Sequence, residues 1–103
     1  MDATILIIGS GSLARAISYS LALLMSRPHR VVVCARSREQ LDEILYVARA
    51  KAASAQSPVK FDSIEFDAKT GDAGRLLSSS QPDIVVNCAS YYSPWEWIHQ
   101  PSS

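Results

Sequence analysis

The chain has 103 residues, 48% hydrophobic and 19% charged, and its ten basic and ten acidic side chains cancel to a net charge of zero. That length holds one domain at most, and the even charge, with no basic stripe or aromatic ladder, speaks against a nucleic-acid partner. Met1-Asp2 is no positive leader and the apolar run Ile5–Ile8 is too short for a signal peptide or membrane span, so a cytoplasmic protein with no membrane partner is expected.

The first predicted strand is Thr4–Ile8, apolar and β-branched, ending at a glycine turn. A helix follows from Ser12 to about Met25, with Leu13, Ile17, Leu21 and Leu24 as its sheet-facing stripe. Ser26-Arg27-Pro28 ends it, because proline disfavours helix at the residue before it. The second strand is Arg30–Ala35, whose valine run suits a central parallel strand buried on both faces. Ser37-Arg38-Glu39-Gln40 reads as a capping box for a second helix reaching about Ala53, with Leu41, Ile44, Leu45 and Ala48 on its buried face. Arg49 and Lys51 near its end complement the helix dipole.

After a loop over 54–58, the third strand is Lys60–Phe66, imperfectly alternating and so nearer a sheet edge. Asp67–Gly71 is a loop. A short helix covers Asp72–Ser79 with Leu76 and Leu77 inward, and Gln81-Pro82 breaks it. The fourth strand, Asp83–Cys88, is again a buried-strand run. The tail from Ala89 to Ser103 carries Tyr91, Tyr92, Trp95 and Trp97.

The opening stretch Thr4-Ile5-Leu6-Ile7-Ile8-Gly9-Ser10-Gly11-Ser12-Leu13-Ala14 has the G-x-G-x-x-A arrangement of a dinucleotide-binding βαβ unit. Gly9 permits a sharp turn at the strand end. Gly11 lets a pyrophosphate approach the backbone, and Ala14 is small enough for close helix–strand packing. Ser10, Ser12 and Leu13 complete the cradle, where the free N–H groups of the first helical turn favour an anion. The bland reading is a tight strand–helix turn with no ligand.

Right-handed crossovers convert the alternating order into a parallel sheet of order 3-2-1-4. This is an α/β, Rossmann-like, doubly wound sheet over residues 1–90, with an aromatic tail or linker over 91–103. Strand four is left as an open apolar edge, which calls for a partner. The expectation is an incomplete, N-terminal portion of a longer enzyme, its substrate domain C-terminal to this chain. A homodimer partner at the strand-four edge is the other reading.

Strand two ends in Cys34-Ala35-Arg36-Ser37-Arg38. NAD-binding units place a carboxylate there for the ribose hydroxyls. Here Ala35 stands with two guanidinium groups, Arg36 and Arg38, and the Ser37 hydroxyl, where a 2′-phosphate would bind. NADP is therefore expected over NAD, although both arginines also suit solvated positions flanking a helix start. Asp67 either accepts from the adenine amine or serves as a turn residue. Asn87, Cys88 and Ala89 stand at the carboxyl end of strand four, where they line the cofactor's ribose and approach the nicotinamide; Asn87 has a structural alternative in satisfying backbone groups there.

Together, the stretches Ile5–Ala14, Val31–Glu39, Phe66-Asp67-Ala68 and Asp83–Ala89 resemble the saccharopine dehydrogenase-like family in its N-terminal NADP-binding domain. The resemblance implies a cofactor domain of reductases that join or split amino acid–carbonyl adducts through an imine. Members often carry an acid before the arginine that ends strand two. Ala35 departs from that pattern, in the direction of NADP. Short-chain dehydrogenases are less similar, since four residues after Tyr91 and Tyr92 come Trp95 and Glu96 rather than lysine.

Cys34 and Cys88 close strands separated by the first, a spacing of roughly 10 Å that is too wide for a disulfide, so two free buried thiols are expected. His29 precedes strand two and is expected on the face opposite the cofactor, as a surface loop histidine. No catalytic constellation and no metal motif is visible. The tail aromatics read as packing against another domain or subunit. Beside the oxidoreductase reading stand two others: a nucleotide-sensing module and a dimerisation module, neither catalytic.

Overall fold

A computed structural model describes residues 2–67 and 71–88. The elements run β1 (Thr4–Ile8), α1 (Ser12–Leu24), β2 (Arg30–Ala35), α2 (Arg38–Ser54), β3 (Lys60–Glu65), α3 (Ala73–Ser80) and β4 (Ile84–Asn87). The sheet is parallel in order β3-β2-β1-β4. Ile5 lies level with Val31 on one side and Ile84 on the other, and Val31 with Phe61. The tail over 91–103, residues 68–70 of the expected loop and Ala89 fall outside the described residues.

Alternation along the strands divides the core into two layers. Ile5, Ile7, Val31, Val33 and Phe61 pack with Ala14 and Ala22 of α1 and Leu41, Ile44, Leu45, Ala48 and Ala52 of α2. Leu6, Val32 and Cys34 point the other way and meet Leu76 of α3, with Ile8, Ile64 and Phe66 at the margin. Valines 31–33 are fully buried, as a central strand requires.

The inward stripe of α1 is not the leucine stripe. Ala14, Ser18 and Ala22 are buried, whereas Leu13 is 59% and Leu24 80% exposed. Ile17 and Leu21 are only partly buried. The small side chains recur at i, i+4 and i+8, and turning them inward lets α1 lie close beside α2. The buried Ser18 hydroxyl is satisfied by donating to the Ala14 carbonyl at 2.8 Å.

Three further expectations are corrected. Leu77 of α3 is exposed while Leu76 is buried; neighbours on a helix point about 100° apart, and a two-turn helix covers only a narrow stripe. The capping box is half formed: the Ser37 hydroxyl accepts from the Gln40 N–H, but the Gln40 side chain accepts from Ser10 instead. β4 is less buried than a central strand, with Ile84 51% and Val85 47% exposed, because β1 is its only sheet neighbour among the described residues. Its start is clasped to β1 twice: the Thr4 N–H donates to Asp83 Oδ2 at 2.7 Å, and the Asp83 N–H to the Thr4 carbonyl at 2.8 Å.

Both cysteines are free and buried. They belong to opposite core layers, Cys34 with α3 and Cys88 with α1 and α2, so the sheet itself stands between them. Burial pushes the Cys34 thiol up to about 12 and raises Cys88 in the same direction. No helix among the described residues is long and apolar enough to cross a membrane.

Candidate functional site at the carboxyl ends of the strands

The parallel arrangement brings the C-terminal ends of all four strands to one side of the domain. His29 lies at the other end, where its Nδ1 accepts from the Ala3 N–H at 2.8 Å. On the site side, Ile8 is level with Cys34 of β2 and Asn87 of β4. Three backbone bonds continue the ladders past the strands: Gly9 N–H to the Cys34 carbonyl, Cys88 N–H to the Ile8 carbonyl, and Phe66 N–H to the Ala35 carbonyl.

Gly9 has φ 128°, a backbone conformation that L side chains rarely adopt. This makes the sharp turn from β1 into α1. Gly11 is different. Its φ of −76° and ψ of −172° are open to any residue, and a Cβ placed there meets nothing within 4 Å. Ala14 is fully buried beneath the turn, while Ser12 and Leu13 are exposed.

Gly11 is the N-cap of α1 and offers no side-chain cap, nor is there an acid in the first turn. The other two helices are capped, α2 by Ser37 and α3 by Asp72. The amides that open α1 are therefore left as donors beside the glycine turn.

The cluster after β2 separates into two kinds of arginine. Arg36 is exposed and makes no hydrogen bond or ion pair with a described residue. Arg38 is held between β3 and its own helix: its Nε donates to Glu65 at 2.8 Å and its Nη1 to Ser63 at 2.8 Å on β3, and Nη1 also donates to Asp42 of α2 at 3.3 Å. The bond to Glu65 raises its pKa. Ser37 spends its hydroxyl as the α2 cap. Ala35 is buried, placing no polar group at the strand end.

Asp67 is half-buried, and its carbonyl accepts from the Gly71 N–H at 2.6 Å. Asn87 is exposed at the mouth of the sheet beside Ile8, and Cys88 is buried behind it. The geometry thus gathers the glycine turn, Ala35, Asn87 and Cys88 around the end of β1, with Arg36 beyond the end of β2.

One residue at the site carries no local sequence signal. Arg15 donates from Nε to the Ser10 carbonyl at 3.1 Å and from Nη1 to Glu43 at 2.7 Å. The Ser10 hydroxyl donates to Gln40 at 2.5 Å. Both Gln40 and Glu43 belong to α2, so the turn is linked to the second helix as well as to β2.

The family model described as the saccharopine dehydrogenase NADP binding domain matches residues 5–98. No curated protein matches the chain. Among solved structures, protein Rv1636 from Mycobacterium tuberculosis H37Rv is similar with a TM-score of 0.53 and 15% identity, over 84% of this chain and 71% of that one. At that identity the likeness is one of fold.

Proposed function

The chain belongs to the saccharopine dehydrogenase NADP-binding domain family, and from that premise we propose that it is the cofactor-holding part of an NADP(H)-dependent oxidoreductase. In this reading the pyrophosphate lies over Gly9–Ala14 and the 2′-phosphate meets Arg36, Ser37 and Arg38. Asp67 faces the adenine, and Asn87, Cys88 and Ala89 approach the ribose and nicotinamide.

Gly11 carries the reading. Its backbone conformation is ordinary and a Cβ there would meet nothing within 4 Å. Neither the turn nor the packing of this chain calls for a glycine, so the bare backbone leaves room for a group from outside. The uncapped start of α1 supplies N–H donors for an anion in that room.

Ala35 and Arg36 support the choice of nucleotide. The first lacks the carboxylate that a free ribose would use, and the second is a guanidinium with no partner among the described residues. Arg38 joins by exchanging its exposed carboxylate partners for phosphate, since such surface pairs are weak. When bound, the cofactor donates or accepts a hydride; this chain's part is to hold and orient it.

The exposed edge residues Ile84 and Val85 suit either a C-terminal substrate domain or a homodimer partner. The latter is the second reading, a nucleotide-sensing or dimerisation module without catalysis. Calorimetric titration with NADP and NAD tests the cofactor assignment. NADP binding with NAD about tenfold weaker or more supports it. Equal affinities remove the arginine assignment, and no binding of either removes the cofactor and sensor readings alike.

A further inference from the structure

Arg15 lies one residue beyond the glycine motif, yet its guanidinium reaches back to the turn. One edge donates to the Ser10 carbonyl and the other to Glu43 of α2. The side chain is 27% exposed, against 60% for its carboxylate partner, so Arg15 is the more enclosed of the two. Glu43 beside it raises the guanidinium's pKa and matches its charge. The Ser10 hydroxyl makes a separate link to Gln40.

The Ser10 carbonyl belongs to the same peptide unit as the Gly11 N–H. In a trans peptide the two point in opposite directions. Pinning the carbonyl on Arg15 therefore fixes the Gly11 N–H away from Arg15, and this N–H has no acceptor among the described residues. We infer that Arg15 is a positioning residue for the cofactor's pyrophosphate: it sets the Ser10–Gly11 peptide so that the Gly11 N–H is presented to the phosphate oxygens, with Glu43 holding Arg15 in place.

This inference rests on the nucleotide reading above and makes a distinct statement about it. Arg15 acts through the peptide and is not itself a phosphate ligand. The pyrophosphate is common to NADP and NAD, so losing the brace weakens both nucleotides by the same factor. Losing a 2′-phosphate contact weakens NADP alone.

The test is calorimetry with NADP and NAD on Arg15→Ala, Arg15→Lys and Glu43→Gln, with amide hydrogen exchange at Gly11 in the nucleotide-free chain. Arg15→Ala is expected to raise both dissociation constants by about tenfold and by equal factors. The lysine variant stays weakened, because an ammonium lacks the fork that serves Ser10 and Glu43 together. Glu43→Gln, an exposed change that spares the fold, shows a smaller loss of the same pattern. Exchange at Gly11 changes in each variant while melting temperature moves little.

Unchanged affinities in all three variants overturn the inference, as does a loss confined to NADP. If the unmodified chain binds neither nucleotide, the nucleotide reading fails first and takes the inference with it.

Discussion

The Gly9 N–H donates to the Cys34 carbonyl at 2.7 Å, so the turn that leaves β1 is fastened to the end of β2. The same strand end leads into Arg36. The turn proposed for the pyrophosphate and the arginine proposed for the 2′-phosphate are thereby held on adjacent strands, at a separation the sheet itself maintains.

Gly11→Leu should abolish or weaken nucleotide binding while sparing the fold. The new side chain enters open space, so the stability cost is limited to the poorer N-cap, up to ~1 kcal/mol. Both NADP and NAD should lose affinity by more than about tenfold. Thermal melts beside calorimetry decide it; full affinity in a folded variant would sink the cradle.

Arg36→Ala should act on NADP alone. A charge-assisted contact is worth about 1.5–3 kcal/mol, equivalent to about ten- to a hundredfold in affinity. Because Arg36 has no partner among the described residues, the melting temperature should hold. An equal loss for NAD would move the arginine away from the 2′-phosphate.

Ser18 should tolerate shrinkage and resist growth. Ser18→Ala removes a buried hydroxyl bonded only within its own helix, so its effect should be no more than about 0.5–1.5 kcal/mol. Ser18→Leu forces extra methylenes between α1 and the core and should cost about 1–3 kcal/mol. Urea denaturation of the two variants measures both, and an undisturbed leucine variant would show that the helix contact is loose.

Cys34 should make the fold alkali-sensitive. Burial pushes its folded-state thiol up to about 12, above the ordinary thiol range of the unfolded chain. Between those values the unfolded chain binds fewer protons, so stability falls as pH rises, by up to ~1.4 kcal/mol per unit. Below the unfolded value this group adds no slope. Denaturation at several pH values should show a flatter alkaline limb for Cys34→Ala than for the unmodified chain, and thiol reagents should label Cys34 only on unfolding.

The strands and their order were readable because β-branched runs lie between turn residues, and crossover handedness leaves one arrangement for them. The glycine turn was readable for the same reason, since its motif is local. The rotation of α1 was not. Leu13, Ile17, Leu21 and Leu24 have helical spacing, but so do Ala14, Ser18 and Ala22 one position on, and the choice depends on how closely α2 approaches. The partner of Arg38 was hidden as well. Glu65 meets it because β3 pairs with β2 in a register that sets Ala35 beside Glu65, and register is a property of two strands. Arg15 and Glu43 are 28 residues apart and meet only when both helices pack on one face.

The clasp between Thr4 and Asp83 spans 79 residues, and this bears on the order of assembly. Closing so long a loop carries an entropic cost that nearby pairings avoid. During synthesis, β1 and β2 can pair as soon as both have emerged, while the other side of β1 waits for nearly the whole described chain. Until then its unpaired N–H and C=O groups, flanked by apolar side chains, form an open edge, the kind on which nascent chains stick to one another. The arrival of Asp83 retires that hazard, and its carboxylate catches the first amide of β1 as β4 docks.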